Sequence, residues 1–84
     1  MSDTGVRAVV EVLARALTDR PDDVRVVESE HKGTTLVELY VAPGDLGKVI
    51  GKQGRTAAAL RTLVASAAER EGKQVTLEIR DGRP

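Results

Sequence analysis

Residues 41–57 read Val41-Ala42-Pro43-Gly44-Asp45-Leu46-Gly47-Lys48-Val49-Ile50-Gly51-Lys52-Gln53-Gly54-Arg55-Thr56-Ala57. Pro43 suits the first position of a helix and Asp45 its first turn, where a carboxylate opposes the positive end of the helix dipole. Leu46, Val49 and Ile50 are the buried stripe of a short helix that Gly51 ends. A second helix opens at about Gly54 or Arg55, so two helices meet at a tight corner with glycine at both ends. G-x-x-G occurs twice here, and with eight glycines in the chain the bare spacing carries little information. Gly44-Asp45-Leu46-Gly47 contains an acid and must turn Leu46 inward, which makes it a poor anion site. Gly51-Lys52-Gln53-Gly54 leaves an apolar pair abruptly and carries a cation and a hydrogen-bonding amide.

Working outward, Val6, Val9, Val10, Leu13, Ala14 and Leu17 recur at helical spacing, which predicts a helix over roughly Thr4 to Thr18 with Asp3 or Thr4 as N-cap. Thr18 to Asp22 breaks it, because Pro21 disfavours helix for the residue before it. Two strands follow. Val24, Val26 and Glu28 alternate with Arg25, Val27 and Ser29, and Val37, Leu39 and Val41 alternate with Leu36, Glu38 and Tyr40. His31-Lys32-Gly33-Thr34 supplies the hairpin turn. On the other side, Ala57, Leu60, Leu63, Val64 and Ala67 form the inner face of a helix that runs to about Glu71 and stops at Gly72. Val75, Leu77 and Ile79 alternate with Thr76, Glu78 and Arg80 as a third strand, and Asp81 to Pro84 is expected to be loose.

The order is α-β-β-α-α-β, and the fold class is α+β. The hairpin is antiparallel, the two-helix connection allows a parallel third strand, and the three-stranded mixed sheet is covered on one face by three helices. Glu38, Thr76, Glu78 and Arg80 are left facing water. With no linker or repeat, residues 1–84 are expected to form one domain with an ordered core of about 4–80.

Composition narrows the function. The core must be aliphatic, since Phe and Trp are absent and Tyr40 is the only aromatic residue. Without Cys there is no disulfide, thiolate metal site or cysteine nucleophile. The first residues lack the pattern of a signal peptide, and no apolar run is long enough to span a membrane, so a cytoplasmic protein with no membrane partner is expected. Net charge is zero, yet Lys48, Lys52, Arg55 and Arg61 are the only charges between Leu46 and Ala68. One basic stretch between acidic flanks gives an oriented field suited to a polyanion. No nucleophile–base pair or metal set exists: His31 reads as an exposed turn residue, and Asp19, Asp22 and Asp23 as a solvated acidic loop. Gly47 to Gln53 falls one residue short of a nucleotide-binding loop and has Gln53 where Ser or Thr would hold magnesium. No cofactor, metal, small-molecule substrate or enzymatic activity is expected. Tyr40 lies opposite Leu39 and reads as a sheet cap more readily than as a base-stacking residue.

The loop Gly51–Gly54 is therefore the candidate site. Such a turn points backbone N–H groups outward at a helix N-terminus, where the dipole also attracts an anion. Lys52 and Gln53 are the contact residues, Arg55 and Lys48 add charge, and the missing Cβ atoms admit a sugar-phosphate backbone.

Val49-Ile50-Gly51-Lys52-Gln53-Gly54-Arg55 resembles the V-I-G-x-x-G signature of KH domains, and the element order is that of the type II KH fold. The whole of residues 41–57, with the chain length, is similar to the KhpA family of small bacterial RNA-binding proteins. That resemblance implies single-stranded RNA as partner, about four nucleotides in a narrow cleft. One wall would be the second helix, the loop and the start of the third helix; the other would be the second strand with the turn around His31 to Thr34. Ile50, Val49 and Leu39 would give an apolar floor. It further implies an RNA chaperone or post-transcriptional regulator that works as a homodimer or with a second KH protein of the KhpB kind, with effects on cell-wall synthesis and cell shape. The chain departs from the pattern at Ala57, where many KH domains have a large aliphatic, and at Ala58, where related proteins often carry lysine. The competing reading is a protein–protein interaction module in which RNA is secondary.

Overall fold

Strand β2 (Thr34–Val41) is the axis on which the rest is assembled. Thr35, Val37, Leu39 and Val41 are buried and their alternate neighbours only partly so, as a central strand with one covered face requires. The computed structural model describes residues 5–84. Strand β1 (Arg25–His31) pairs antiparallel with β2, and β3 (Gln74–Asp81) pairs parallel with it on the other side, in the order β1-β2-β3. The hairpin turn has positive φ at both Lys32 (53°) and Gly33 (82°). Two such residues in succession match a two-residue turn to the right-handed twist of the strands.

Three helices cover one face: α1 (Val6–Leu17), α2 (Leu46–Ile50) and α3 (Arg55–Arg70). The predicted type II KH order and mixed sheet are present. One aliphatic core joins Val6, Val10 and Ala14 of α1, Val26, Val37, Leu39 and Val41 of the sheet, Val49 of α2, and Leu60, Val64 and Ala68 of α3. Leu77 is the buried residue of β3 and Ile79 packs partly against the same core.

Several expectations need correction. The inner face of α3 is Ala57, Leu60, Val64 and Ala68, while Leu63 is 49% exposed. Positions 60, 64 and 68 follow the four-residue ridge, and Leu63 lies off it. Leu17 likewise ends α1 on the exposed side. The assignment of Asp3 or Thr4 as a cap lies outside the described residues; the N-cap position is Gly5, with no side-chain cap. The tail is held further than expected, since β3 includes Asp81 and the Gly82 N–H donates to the Val41 carbonyl at 2.9 Å.

Asp45 organises the joint between the two halves. It is buried, and its carboxylate accepts from the backbone N–H of Asp19 (Oδ1, 3.2 Å) and of Arg20 (Oδ2, 3.0 Å). A buried carboxylate is costly unless hydrogen-bonded, and here it closes the link after α1 onto the start of α2.

Candidate nucleic-acid interface

The corner between α2 and α3 is built from unusual backbone. Gly51 sits at φ 78°, ψ 170°, a region that only glycine occupies readily. A Cβ on it would lie 2.2 Å from Thr56 Oγ1 and 2.8 Å from the Thr56 backbone nitrogen. Glycine is thus required here by conformation and by the close approach of the first turn of α3. Gln53 (φ 56°, ψ 27°) and Gly54 (φ 73°, ψ 13°) are both left-handed. A Cβ on Gly54 would meet nothing within 4 Å, so the open surface expected of the loop belongs to Gly54 and not to Gly51. The Gly51 N–H donates to the Gly47 carbonyl (2.8 Å) and the Gly54 N–H to the Gly51 carbonyl (3.1 Å), which tie the turn at both ends.

This backbone turns Lys52 and Gln53 into solvent at the head of α3, a 16-residue helix whose N-terminus has no side-chain cap. The Arg55 N–H donates to the Lys52 carbonyl, so the outward N–H groups expected of the turn are partly used within the corner, and the end of the helix offers an anion chiefly the partial positive charge of its dipole. Arg55 is exposed beside them, its Nη2 donating to Gln53 Oε1 at 3.1 Å. The structure brings Gly51, Lys52, Gln53, Gly54 and Arg55 together as one surface, with Ile50 half-buried at its edge.

Lys48 is placed differently. Its Nζ lies 3.2 Å from Asp19 Oδ2 and 3.8 Å from Asp45 Oδ1, so its charge is matched by acids on the α1 side. The basic stretch is free of acid in sequence, but folding brings acids to Lys48. Lys52, Arg55 and Arg61 remain as the exposed basic residues of the corner and the first half of α3, and none of them makes an ion pair among the described residues.

The strand beside this corner is β3. Both α2 and α3 pack against it, and Arg61, Val64, Val75, Thr76, Leu77 and Glu78 line a groove of about 250 Å³ between α3 and this free edge. Further along, Ala65 and Ala68 of α3 share a groove with Thr34 and Gln74 to Thr76. Helix α3 therefore runs antiparallel to β3, with the glycine corner at the strand's C-terminal end. The turn at His31 to Thr34 sits at the other end, since Thr34 pairs with Gln74. At 1.5 Å per residue the length of α3 is about 24 Å, which separates the two. The expected second wall is thus the third strand and not the second with its turn. Leu39 and Val49 are fully buried and form no accessible floor; Ile50, Val75 and Ile79 are the partly exposed aliphatics on this side.

Two residues that shape the corner escaped the reading of the sequence. Asp45 read as a first-turn acid, because its partners lie 25 and 26 positions away. Thr56 gave no signal at all, and its role is visible only as the surface against which Gly51 closes. Among the described residues no group of three or more His, Cys, Asp or Glu could hold a metal ion, and no helix is long and apolar enough to cross a membrane.

Comparison with known proteins agrees with this geometry. Residues 7–79 match the family described as "KhpA/KhpB, KH domain". The chain is 51% identical over 76 residues to the RNA-binding protein KhpA of Halalkalibacterium halodurans, covering 90% of this chain and 100% of that one. It is 49% identical over 74 residues to that of Clostridium perfringens, covering 88% of this chain and 99% of that one. Among solved structures it resembles part of Era bound to MgGDPNP and a segment of 16S ribosomal RNA, with TM-score 0.62 and 22% identity over 90% of this chain and 29% of that chain. A second Era structure, from Aquifex aeolicus, gives TM-score 0.64 at 21% identity over 93% of this chain and 31% of that chain. The Era likeness is one of fold. Together with the V-I-G-x-x-G corner and the α-β-β-α-α-β order, the match over most of its length means that the chain belongs to the KhpA/KhpB KH-domain family.

Proposed function

We propose that this protein is a single KH domain that binds single-stranded RNA without catalysis and with low sequence selectivity, its backbone contact made by Gly51, Lys52, Gln53 and Gly54. The observation that carries the reading is the corner itself: an uncapped N-terminus of α3 preceded by Gln53 and Gly54 in left-handed conformation, with Lys52, Gln53 and Arg55 exposed around it. Phosphate oxygens suit such a site, since the dipole of α3 and the side-chain donors and cations of Lys52, Gln53 and Arg55 converge on it. The groove between α3 and β3 continues from it, and Ile50, Val75 and Ile79 offer apolar surface to bases where no aromatic side chain stands. The names of the relatives support RNA as the ligand. Lys48 plays a lesser part than its place in the sequence implied, because Asp19 and Asp45 hold it.

The wider role follows the same family: an RNA chaperone or post-transcriptional regulator in the cytoplasm, acting on cell-wall synthesis and cell shape. One cleft of about four nucleotides makes few contacts, and joining two raises affinity through effective concentration. We therefore read the protein as paired, with itself or with a KhpB-like KH protein. Leu63 and Val12, 49% and 66% exposed on the packed helices α3 and α1, are the large aliphatics that favour such pairing. The same residues favour the second reading, an interaction module in which RNA is incidental, but a purely protein interface leaves the unpaired Lys52, Arg55 and Arg61 without a purpose.

Replacing Lys52 and Gln53 with Asp separates the readings. Both are exposed, and Asp tolerates the left-handed conformation at position 53, so the fold should survive. The double variant is expected to melt as the parent does by circular dichroism while losing binding to a short single-stranded RNA in fluorescence anisotropy. Unchanged affinity in a normally folded variant would remove the loop as the RNA site.

A further inference from the structure

The only aromatic side chain of the protein lies outside the corner and its groove. Tyr40 is on β2, alternating with the buried Leu39 and Val41, so it stands partly exposed on the sheet face that no helix covers. Its register partners on both sides are arginines, Arg25 on β1 and Arg80 on β3, which places Tyr40 in a cross-strand row between two arginine positions. Directly paired side chains on one face of a sheet lie within contact of each other. Glu38, two residues back on the same face, fixes this row. One of its oxygens, Oε2, accepts from both the Tyr40 hydroxyl (3.3 Å) and Arg80 Nε (3.1 Å).

The row sits at a particular end of the sheet. Tyr40 and Arg80 are each one residue short of the ends of β2 and β3, the end at which the glycine corner lies. Beyond it, Arg25, Arg83, Pro43 and Gly82 help to line a groove of about 510 Å³, with Asp23 the one acid in its lining. Neither Arg25 nor Arg83 is within 4.0 Å of a carboxylate among the described residues; the Arg25 guanidinium donates instead to the carbonyls of Asp22 (2.7 Å) and Val24 (2.8 Å). The next row along the open face is acidic, Glu38 paired with Glu78. A polyanion crossing this face is thus directed toward the end that carries Arg25 and Arg83.

We propose that Tyr40, between Arg25 and Arg80, is a stacking platform for a base of single-stranded RNA whose backbone is held at Gly51–Gly54. The RNA then continues round the end of the sheet onto its open face, and the footprint exceeds the roughly four nucleotides that one cleft accommodates. Exposed aromatic rings on a sheet are a recurrent surface for unpaired bases, and a flanking guanidinium adds both stacking and charge. The proposal rests on the RNA-binding reading above.

The test uses the full chain with single-stranded RNAs of about four and about ten nucleotides. Tyr40 and His31 are the only side chains with aromatic ring protons, and the carbon shifts of the two rings differ, so in a ¹³C-labelled sample the Tyr40 signals are resolved. The longer RNA is expected to shift them upfield, and the shorter one to leave them in place. Tyr40→Leu should weaken binding of the longer RNA by about fivefold or more, leave the shorter unchanged, and be reversed by Tyr40→Phe, which keeps the stacking surface. The ring-signal measurement needs no variant to fold. If the longer RNA binds in a manner dependent on Lys52 and Gln53 while the ring signals stay still, Tyr40 is a sheet cap and the inference is overturned, with the loop reading intact. If the shift persists in the Lys52→Asp, Gln53→Asp variant, the platform stands and the loop reading fails. Absence of binding by either RNA overturns both.

Discussion

Gly51→Ala should be far more damaging than Gly54→Ala, although both glycines belong to the same motif and both have positive φ. At Gly51 the φ 78°, ψ 170° conformation is nearly exclusive to glycine, and forcing another residue into it costs about 1–3 kcal/mol. The added methyl would also sit 2.2, 2.6 and 2.8 Å from Thr56 Oγ1, Cβ and N, and such overpacking costs about a further 1–3 kcal/mol. The total, about 2–6 kcal/mol, compares with a stability of about 4–13 kcal/mol for a chain of this length. At roughly 4–8 °C per kcal/mol for a domain this small, the midpoint should fall by at least about 8 °C. Gly54→Ala places its methyl in open space and carries only the left-handed penalty of about 1–2 kcal/mol. Thr56→Ala should not rescue Gly51→Ala, because the Thr56 Cβ and backbone nitrogen remain in the way. Thermal unfolding of the four proteins by circular dichroism measures all of this. A Gly51→Ala protein that melts within a degree or two of the parent, or below which Gly54→Ala falls, would refute the view that α3 packs onto the Gly51 α-carbon.

Other outcomes are expected from the same geometry. Gly54→Ala should weaken RNA binding more than its stability loss explains, since it fills the open surface of the loop; anisotropy titration of the folded variant checks this. If the Lys52, Arg55 and Arg61 cations meet about three phosphates, the slope of log K against log salt is roughly −2, and Lys48→Ala should leave it nearly unchanged where Lys52→Ala lowers it by about 0.7. Asp45→Ala leaves two backbone N–H groups at the α1–β1 link without their acceptor and should cost about 1–3 kcal/mol in urea unfolding, with Asp45→Asn intermediate. Leu60→Ala should lose about 2–5 kcal/mol, whereas Leu63→Glu should change stability by no more than about 0.5 kcal/mol while dissociating any homodimer in sedimentation.

Much of this protein is written locally. Alternation at period two in 36–41 and 75–80, helical spacing in 6–17 and the glycines at 51 and 54 specify element types and order, because each depends on neighbours within one turn or one strand. That Lys52, Gln53 and Arg55 share one exposed surface was legible for the same reason: the corner that presents them is made by adjacent residues. Burial and pairing across the fold were not legible. Leu63 and Val64 are equally apolar in sequence, and only the position of α1 and the sheet against α3 decides that Val64 is buried and Leu63 exposed. Lys48 looked like part of an acid-free basic run until the link after α1 brought Asp19 to it. Which strand borders the corner was likewise a matter of sheet order, which follows from how α2 and α3 return the chain to the edge of β2 opposite β1. Sequence alone determined the backbone of the loop; contacts between residues more than 20 positions apart, as between Asp45 and Asp19 or Tyr40 and Arg80, decided which charges stay free beside it and which side chains share the open face of the sheet.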